Sequence, residues 1–159
     1  MNHYLFDQLE HVRGITLKVL ERVNEEDADV VHDGFRNSIR WNVGHIYLVQ
    51  EQLAFGPIGL SQHIPHDYSS LFSPGTSPKD WELEVPTLNE LRGLLQEQPK
   101  RVKQQLSYRL DEEVTRPHTT KSGIHLETVA EFLSFSLFHE GIHMNTIVNY
   151  HKLNKYKQK

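Results

Sequence analysis

The chain has 159 residues and a formal net charge of −4 at pH 7, which favours one domain over residues 1–159 with a substantial core. The sequence contains no cysteine, so it excludes a disulfide framework and a thiolate zinc site. It shows no membrane-span-length apolar run, no signal-peptide plan and no basic patch before the C-terminal tail, so we expect a cytoplasmic protein that binds neither membranes nor nucleic acid.

Periodic apolar residues predict four long helices, and no segment has a convincing strand pattern. The helices are expected at residues 3–24, 39–55, 88–110 and 128–153. Four helices without strands predict an all-α chain that folds as a four-helix bundle.

Local signals mark the ends of these helices. Thr87 with Glu90, and Thr128 with Glu131, have the spacing of capping boxes that begin the third and fourth helices. Pro99 is expected to kink or interrupt the third helix, because proline lacks the N–H that the helix needs.

Two connections complete the map. Residues 57–86 form a long connection between helices 2 and 3 that is rich in Pro, Gly and Ser, and we expect it to cross the end of the bundle with a short helical turn near residues 69–72. Residues 114–125 are expected to form a second, shorter connection.

The most informative motif is His-Glu-Gly-Ile-His, at residues 139–143. Two histidines four residues apart lie on one face of a helix, so His139 and His143 have the spacing to reach one metal ion. A helical projection also puts them on an apolar stripe, where buried imidazoles need hydrogen-bond partners or a metal. The members of that stripe are Phe132, Phe135, His139, Ile142, His143, Thr146 and Tyr150.

The motif also fits the His-Glu-x-x-His signature of zinc peptidases, but the rest of the sequence argues against that class. The positions that would carry the third peptidase ligand or its spacer glycine are Asn149 and Thr146. His151 is about 12 Å along the helix axis from His143, which is too far to share an ion.

A third ligand is therefore expected upstream, and His45 is the strongest candidate. His45 lies in the second predicted helix, on a largely apolar face with Trp41 and Leu48. The alternative for His45 is a core histidine with an ordinary hydrogen bond, and the alternative for the later pair is an accidental spacing among eleven histidines.

The order of Trp-x-x-x-His at residues 41–45 and His-x-x-x-His at residues 139–143, with a polar residue and Ile following, resembles the DinB-like superfamily of four-helix bundles. The resemblance implies that His45, His139 and His143 bind a divalent metal. Some members of that superfamily are metal-dependent transferases that use bacillithiol, mycothiol or glutathione, so the resemblance also implies that class of activity. The segment Met144 to Ile147 departs from the Arg-Gly-Gln-Ile often found in the family.

Three neutral imidazoles leave coordination positions open and the full charge on the ion, which favours ionisation of a bound water or thiol. Such a site suits zinc or nickel. We therefore expect a small-molecule substrate and a metal-dependent thiol transferase, with a metal-dependent hydrolase or a non-enzymatic metal-binding bundle as the alternatives.

Several other residues have weaker functional interpretations. Glu140 is a candidate general base, although a role in orienting an imidazole or a solvated position is the stronger expectation for it. Trp41 and Tyr47 are expected to be packing residues. The loop histidines, expected to be exposed, are His63, His66, His118 and His125.

The fourth helix carries a second apolar stripe, on another side from the histidines. Either neighbouring helices of the same bundle or a second copy of the chain must cover it, and the resemblance favours a homodimer. The members of this stripe are Leu133, Leu137, Met144 and Val148.

Overall fold

The computed structural model describes residues 3–157, which are mostly helical. Five α-helices span Tyr4–Leu20 (α1), Ile39–Phe55 (α2), Tyr68–Phe72 (α3), Leu88–Leu106 (α4) and Val129–Lys157 (α5). Two strands span Glu113–Thr119 (β1) and His125–Thr128 (β2) and pair as an antiparallel hairpin. Single 3-10 turns lie at Glu25–Asp27, Gly56–Ile58 and Pro78–Asp80.

The four long helices lie side by side, and each packs against two others. Helix α5 contacts α1 and α2, and α4 contacts the same two helices. Helix α2 is the most enclosed, because every residue from 38 to 48 is buried. Among residues 3–157, none of the helices combines the length and the apolar character that crossing a bilayer requires.

The predicted helices agree with the structure apart from their ends. The second occupies Ile39–Phe55 as predicted, and its N-cap Ser38 accepts a hydrogen bond from the Trp41 amide. The first and third end about four residues earlier than predicted, at Leu20 and Leu106, and the fourth continues to Lys157. Both predicted capping boxes are present.

Helix α4 continues through Pro99 without interruption. A proline cannot donate to the carbonyl four residues earlier, so the Leu95 carbonyl loses its helical partner. The Arg13 side chain, from α1, supplies the missing donor, with its Nη1 atom 2.7 Å from that oxygen. A contact between helices thus makes good the hydrogen bond that the proline removes.

The prediction of an all-α chain is wrong for residues 113–128, which form the hairpin. Strand β1 has one buried residue, Val114, and the other six are exposed, so it lacks the alternation that predicts a strand. Gly123 makes the turn with φ at +91°, a conformation that favours glycine. The hairpin packs on the turn after α2, where the Thr115 hydroxyl donates to the Pro57 carbonyl at 2.8 Å.

The short helix predicted near residues 69–72 is α3, which packs against α2 with Tyr68, Leu71 and Phe72 buried. The contact depends on Gly44 of α2, because a Cβ atom built there would lie 2.6 Å from the Phe72 ring. Helix α3 therefore sits against α2 at a position that only glycine allows.

We expect Gly44→Ala to destabilise the protein by about 1–3 kcal/mol, because the fully buried Phe72 ring must shift to admit the methyl group. Gly93→Ala in α4 is the matched control, since a Cβ there meets nothing within 4 Å and alanine is the better helix former. Urea unfolding followed by circular dichroism measures both. Equal stability of the two variants would contradict the packing argument.

Candidate metal centre

His45, His139 and His143 come together where α2 packs against α5. One potential ligand nitrogen from each lies within 4.8 Å of the other two, so the cluster could hold a metal ion. The Nε2 atoms of His45 and His139 are 3.2 Å apart. Two nitrogens bound tetrahedrally to zinc at 2.0–2.1 Å are about 3.3 Å apart, which matches this spacing.

The three imidazoles differ in burial. His45, in the middle of α2, is buried, with 4% of its surface exposed. His139 and His143 lie one turn apart on α5 and are half-buried. The cluster is therefore more enclosed on the α2 side than on the α5 side.

The His45 ring is held from two directions. Its Nδ1 lies 2.6 Å from the Phe72 carbonyl oxygen, and because a carbonyl only accepts, Nδ1 carries the proton. The Trp41 ring stacks on it with 4.5 Å between centroids and a 16° interplanar angle. These contacts leave the Nε2 lone pair of His45 facing the cluster.

The His143 ring also has a partner outside the cluster. Its Nδ1 lies 2.7 Å from Oδ1 of Asn42, one turn before His45 on α2. The Asn42 side chain in turn donates from Nδ2 to the Ser38 carbonyl at 2.8 Å. Two of the three imidazoles therefore have an outer nitrogen engaged, as metal-binding histidines usually do.

Burial keeps the cluster uncharged at neutral pH. Desolvation lowers the pKa of His45, and it lowers the pKa of His139 to about 4 with a further contribution from His45. Desolvation, followed by the charges of His139 and His45, lowers the pKa of His143 to about 3. The neutral imidazole is the form that binds a metal, so the histidines do not need to lose protons at pH 7.

Glu140 does not face the histidine cluster. It is 2% exposed and receives two hydrogen bonds from Arg13 of α1, at 2.8 and 3.0 Å, and one from the Thr16 hydroxyl at 2.8 Å. Both carboxylate oxygens are therefore used between α5 and α1. This geometry does not support a general-base role, and its hydrogen bonds reach α1 rather than an imidazole.

The predicted inward stripe of α5 is partly wrong. Ile142, assigned to it, is 48% exposed, whereas Phe132 and Tyr150 are buried as expected. The most buried line of the helix instead carries polar residues, Ser136 and Glu140, followed by Ile147. The histidines lie at the edge of the buried face, next to the exposed Ile142.

The four histidines predicted to be exposed in loops lie outside the cluster. His63 and His66 are in the connection before α3, and the His66 side chain is 97% exposed. His118 and His125 are on the exposed hairpin. Among residues 3–157, no other set of three or more His, Asp or Glu side chains has the spacing of a metal site.

The two aromatic residues predicted to pack do so. Trp41 stacks on His45, as described, and its Nε1 donates to the Thr76 hydroxyl at 2.8 Å. Tyr47 is buried and donates to the His63 carbonyl at 2.6 Å.

Sequence reasoning missed the groups that orient the imidazoles. The Phe72 carbonyl belongs to the backbone and leaves no mark in the sequence. Asn42 did carry a signal, since a polar residue three positions before His45 shares its side of the helix.

The family model of the DinB superfamily matches residues 8–147, which include all three histidines. The chain belongs to the DinB superfamily. The DinB match covers most of the chain. It extends to Ile147, just after the His-x-x-x-His motif of residues 139–143, and so confirms the predicted resemblance. No curated protein matches the sequence.

We expect Arg13→Leu to destabilise this DinB protein by about 3–5 kcal/mol, because Glu140 would keep a buried charge without its partner. The double variant Arg13→Leu/Glu140→Leu should recover part of that loss, since it removes both charges but still leaves the Leu95 carbonyl without its donor. Guanidinium unfolding of the metal-free proteins measures both changes.

The exposed pair of Arg109 and Glu112 supplies the control. Arg109→Leu should cost less than about 1 kcal/mol, because water screens a surface pair. A double variant as unstable as Arg13→Leu would contradict the account of Glu140 as a partner of Arg13.

Proposed function

We propose that the chain is a four-helix bundle of the DinB-like type in which His45, His139 and His143 bind one divalent ion, zinc or nickel. We further propose that it transfers a small thiol to an electrophilic substrate. The observation that carries the proposal is the convergence of three neutral imidazoles, two of them with the outer nitrogen already donating.

The donor set fits such an ion. Three histidine ligands leave at least one coordination position open, as in catalytic zinc sites. A divalent ion bound there supplies a Lewis acid that lowers the pKa of a coordinated thiol and so favours the nucleophilic thiolate at neutral pH. His139 and His143 are only half-buried, so we propose that small molecules approach the open position from the α5 side.

The protein's own side chains have two tasks in this proposal. The enclosure of His45 by α2, Trp41 and Phe72 holds the ligands in place. Burial keeps the imidazoles unprotonated and available as donors at pH 7. The nucleophile must come from outside, because the chain has no cysteine.

The family resemblance makes bacillithiol, mycothiol and glutathione the candidate thiols. A reduced small thiol is abundant in the cytoplasm, which is where we expect the protein to act. The position of Glu140 weighs against the hydrolase alternative, since its carboxylate is paired with Arg13 and does not face the histidine cluster to accept a proton from water.

The test uses untagged protein, metal analysis and turnover of monochlorobimane with each of the three thiols. We expect about one ion per chain and conjugation that needs both the ion and one of the thiols. His143→Ala should lose the ion and reduce conjugation to the uncatalysed rate, because only two ligands remain. His66→Ala, outside the cluster and exposed, should retain both properties.

Each other outcome removes part of the proposal. Substoichiometric metal in the unchanged protein would refute the metal site. Stoichiometric metal with no thiol conjugation would refute the transferase, and substrate cleavage without any thiol would establish the hydrolase.

We also propose that the protein forms a homodimer through α5. From Phe132 to Asn149 the only Asp, Glu, Lys or Arg is Glu140, which is buried against α1. Phe138 and Ile142 are nevertheless 61% and 48% exposed on this uncharged surface. Of the second apolar stripe, Leu133 is fully buried and Leu137, Met144 and Val148 are half-buried, so the protein's own core covers it only in part.

Light scattering at micromolar concentration should give twice the mass of the 18.6 kDa chain. Phe138→Glu should shift the mass to that of a monomer, because a charge cannot be buried in an apolar contact without a partner. Tyr108→Glu is the control, since Tyr108 is 88% exposed and distant in sequence from α5. A monomer mass for the unchanged protein that stays constant on concentration would refute the dimer.

A further inference from the structure

We infer that Asn42 is a positioning residue that fixes the tautomer of His143, so that His143 presents Nε2 to the metal ion. The inference rests on the proposed metal binding and concerns how the cluster is prepared for it. An imidazole can bind a metal through either nitrogen, and the hydrogen bond made by one nitrogen decides which of them is the ligand.

The orientation of the Asn42 amide follows from its other contact. Its Nδ2 atom lies 2.8 Å from the Ser38 carbonyl oxygen, which can only accept a hydrogen bond. Reversing the amide would place two oxygens against each other, so the group that faces Ser38 must be the NH₂. Oδ1 is therefore the atom 2.7 Å from Nδ1 of His143.

The proton on His143 is then determined. Because Oδ1 has no hydrogen to donate, Nδ1 must carry one, and the lone pair of the neutral ring is on Nε2. Asn42 is 2% exposed, so water cannot readily replace it as the partner. The backbone amide of Asn42 also donates to the Ser38 carbonyl, at 3.1 Å, which fixes the residue in the first turn of α2.

The same tautomer is imposed on His45 by different means. There the acceptor is the Phe72 carbonyl, which no change of side chain removes. Of these two outer contacts, only the one from Asn42 can be deleted by substitution. Asn42 is therefore the position at which the effect of orienting a ligand can be measured with all three histidines present.

The experiment combines two measurements on Asn42→Leu, a substitution of similar size that lacks the acceptor. In metal-free protein at pH 7, ¹⁵N NMR of the imidazoles should show His143 as the Nδ1–H tautomer in the unchanged chain and as a mixture in the variant. The His45 signals should stay unchanged, because its carbonyl partner remains. Zinc affinity, measured by chelator competition, should fall about 10–100-fold.

Asn42→Asp tests rescue, since a carboxylate accepts the same hydrogen bond. We expect it to restore the Nδ1–H tautomer and to bind zinc more tightly than the leucine variant, although with a loss of stability because its second oxygen faces the Ser38 carbonyl oxygen. Asn42→Ala gives a second deletion without added bulk if the leucine variant does not fold. Circular dichroism of each variant checks that the helices persist.

The outcomes separate this inference from the proposed function. If the unchanged protein binds no zinc, the proposed function fails, and the tautomer measurement still decides the role of Asn42. If zinc binds tightly and a folded Leu or Ala variant shows the same tautomer and affinity, the inference is wrong. It is also wrong if a folded Asp variant binds zinc no better than the deletion variants.

Discussion

The structure depends on the complete burial of the first half of α2. Neighbouring elements cover every residue from 38 to 48, yet this segment includes Arg40, Asn42 and His45. A buried polar group is costly unless it has a partner, so each of these side chains requires a partner at a fixed place. Arg40 pairs with Asp29 and also with Glu25, Asn42 bridges the Ser38 carbonyl and a histidine, and His45 donates to the Phe72 carbonyl. The histidine cluster is thus one part of a wider requirement to satisfy the polar groups of an enclosed helix.

The sequence was enough to predict which three histidines are the candidate ligands, because helical spacing is a local property. His139 and His143 share a face wherever the helix packs, and His45 with Trp41 has the same regularity. The inward face of α5 was harder to predict, because its most buried line includes the charged Glu140. Periodicity treats a carboxylate as a surface group, and the Arg13 side chain that neutralises it lies 127 residues away in sequence. Pairing over that distance leaves no trace in the local pattern.

The hairpin was not predicted, for a related reason. Its first strand buries only Val114, and its second buries only Leu126, so neither has an apolar face of its own. These two residues join a core to which the start of α1, the end of α2, the end of α4 and the start of α5 also contribute. The hairpin is therefore held by contacts with elements distant along the chain, and strand propensity contributes little.

The ends of α1 and α4 were predicted about four residues too late, which shows the same limit. Periodicity predicts the position of a helix better than it predicts the residue at which tertiary packing ends it.

The outer hydrogen bonds also determine what the cluster lacks in the metal-free protein. His45 and His143 each donate outward from Nδ1, so both direct an Nε2 lone pair inward. His139 can donate one hydrogen bond from Nε2, which satisfies one of those two lone pairs. Because its Nε2 lies 3.2 Å from Nε2 of His45, this hydrogen bond goes to His45. The lone pair of His143 is then left to solvent, in surroundings that already disfavour its protonation. A divalent ion would accept both of these lone pairs, and a third from Nε2 of His139 once the proton of that ring moves to Nδ1. Because ion binding would then favour the folded chain over the unfolded chain, the stability of the α2–α5 contact and the affinity for the ion would be linked.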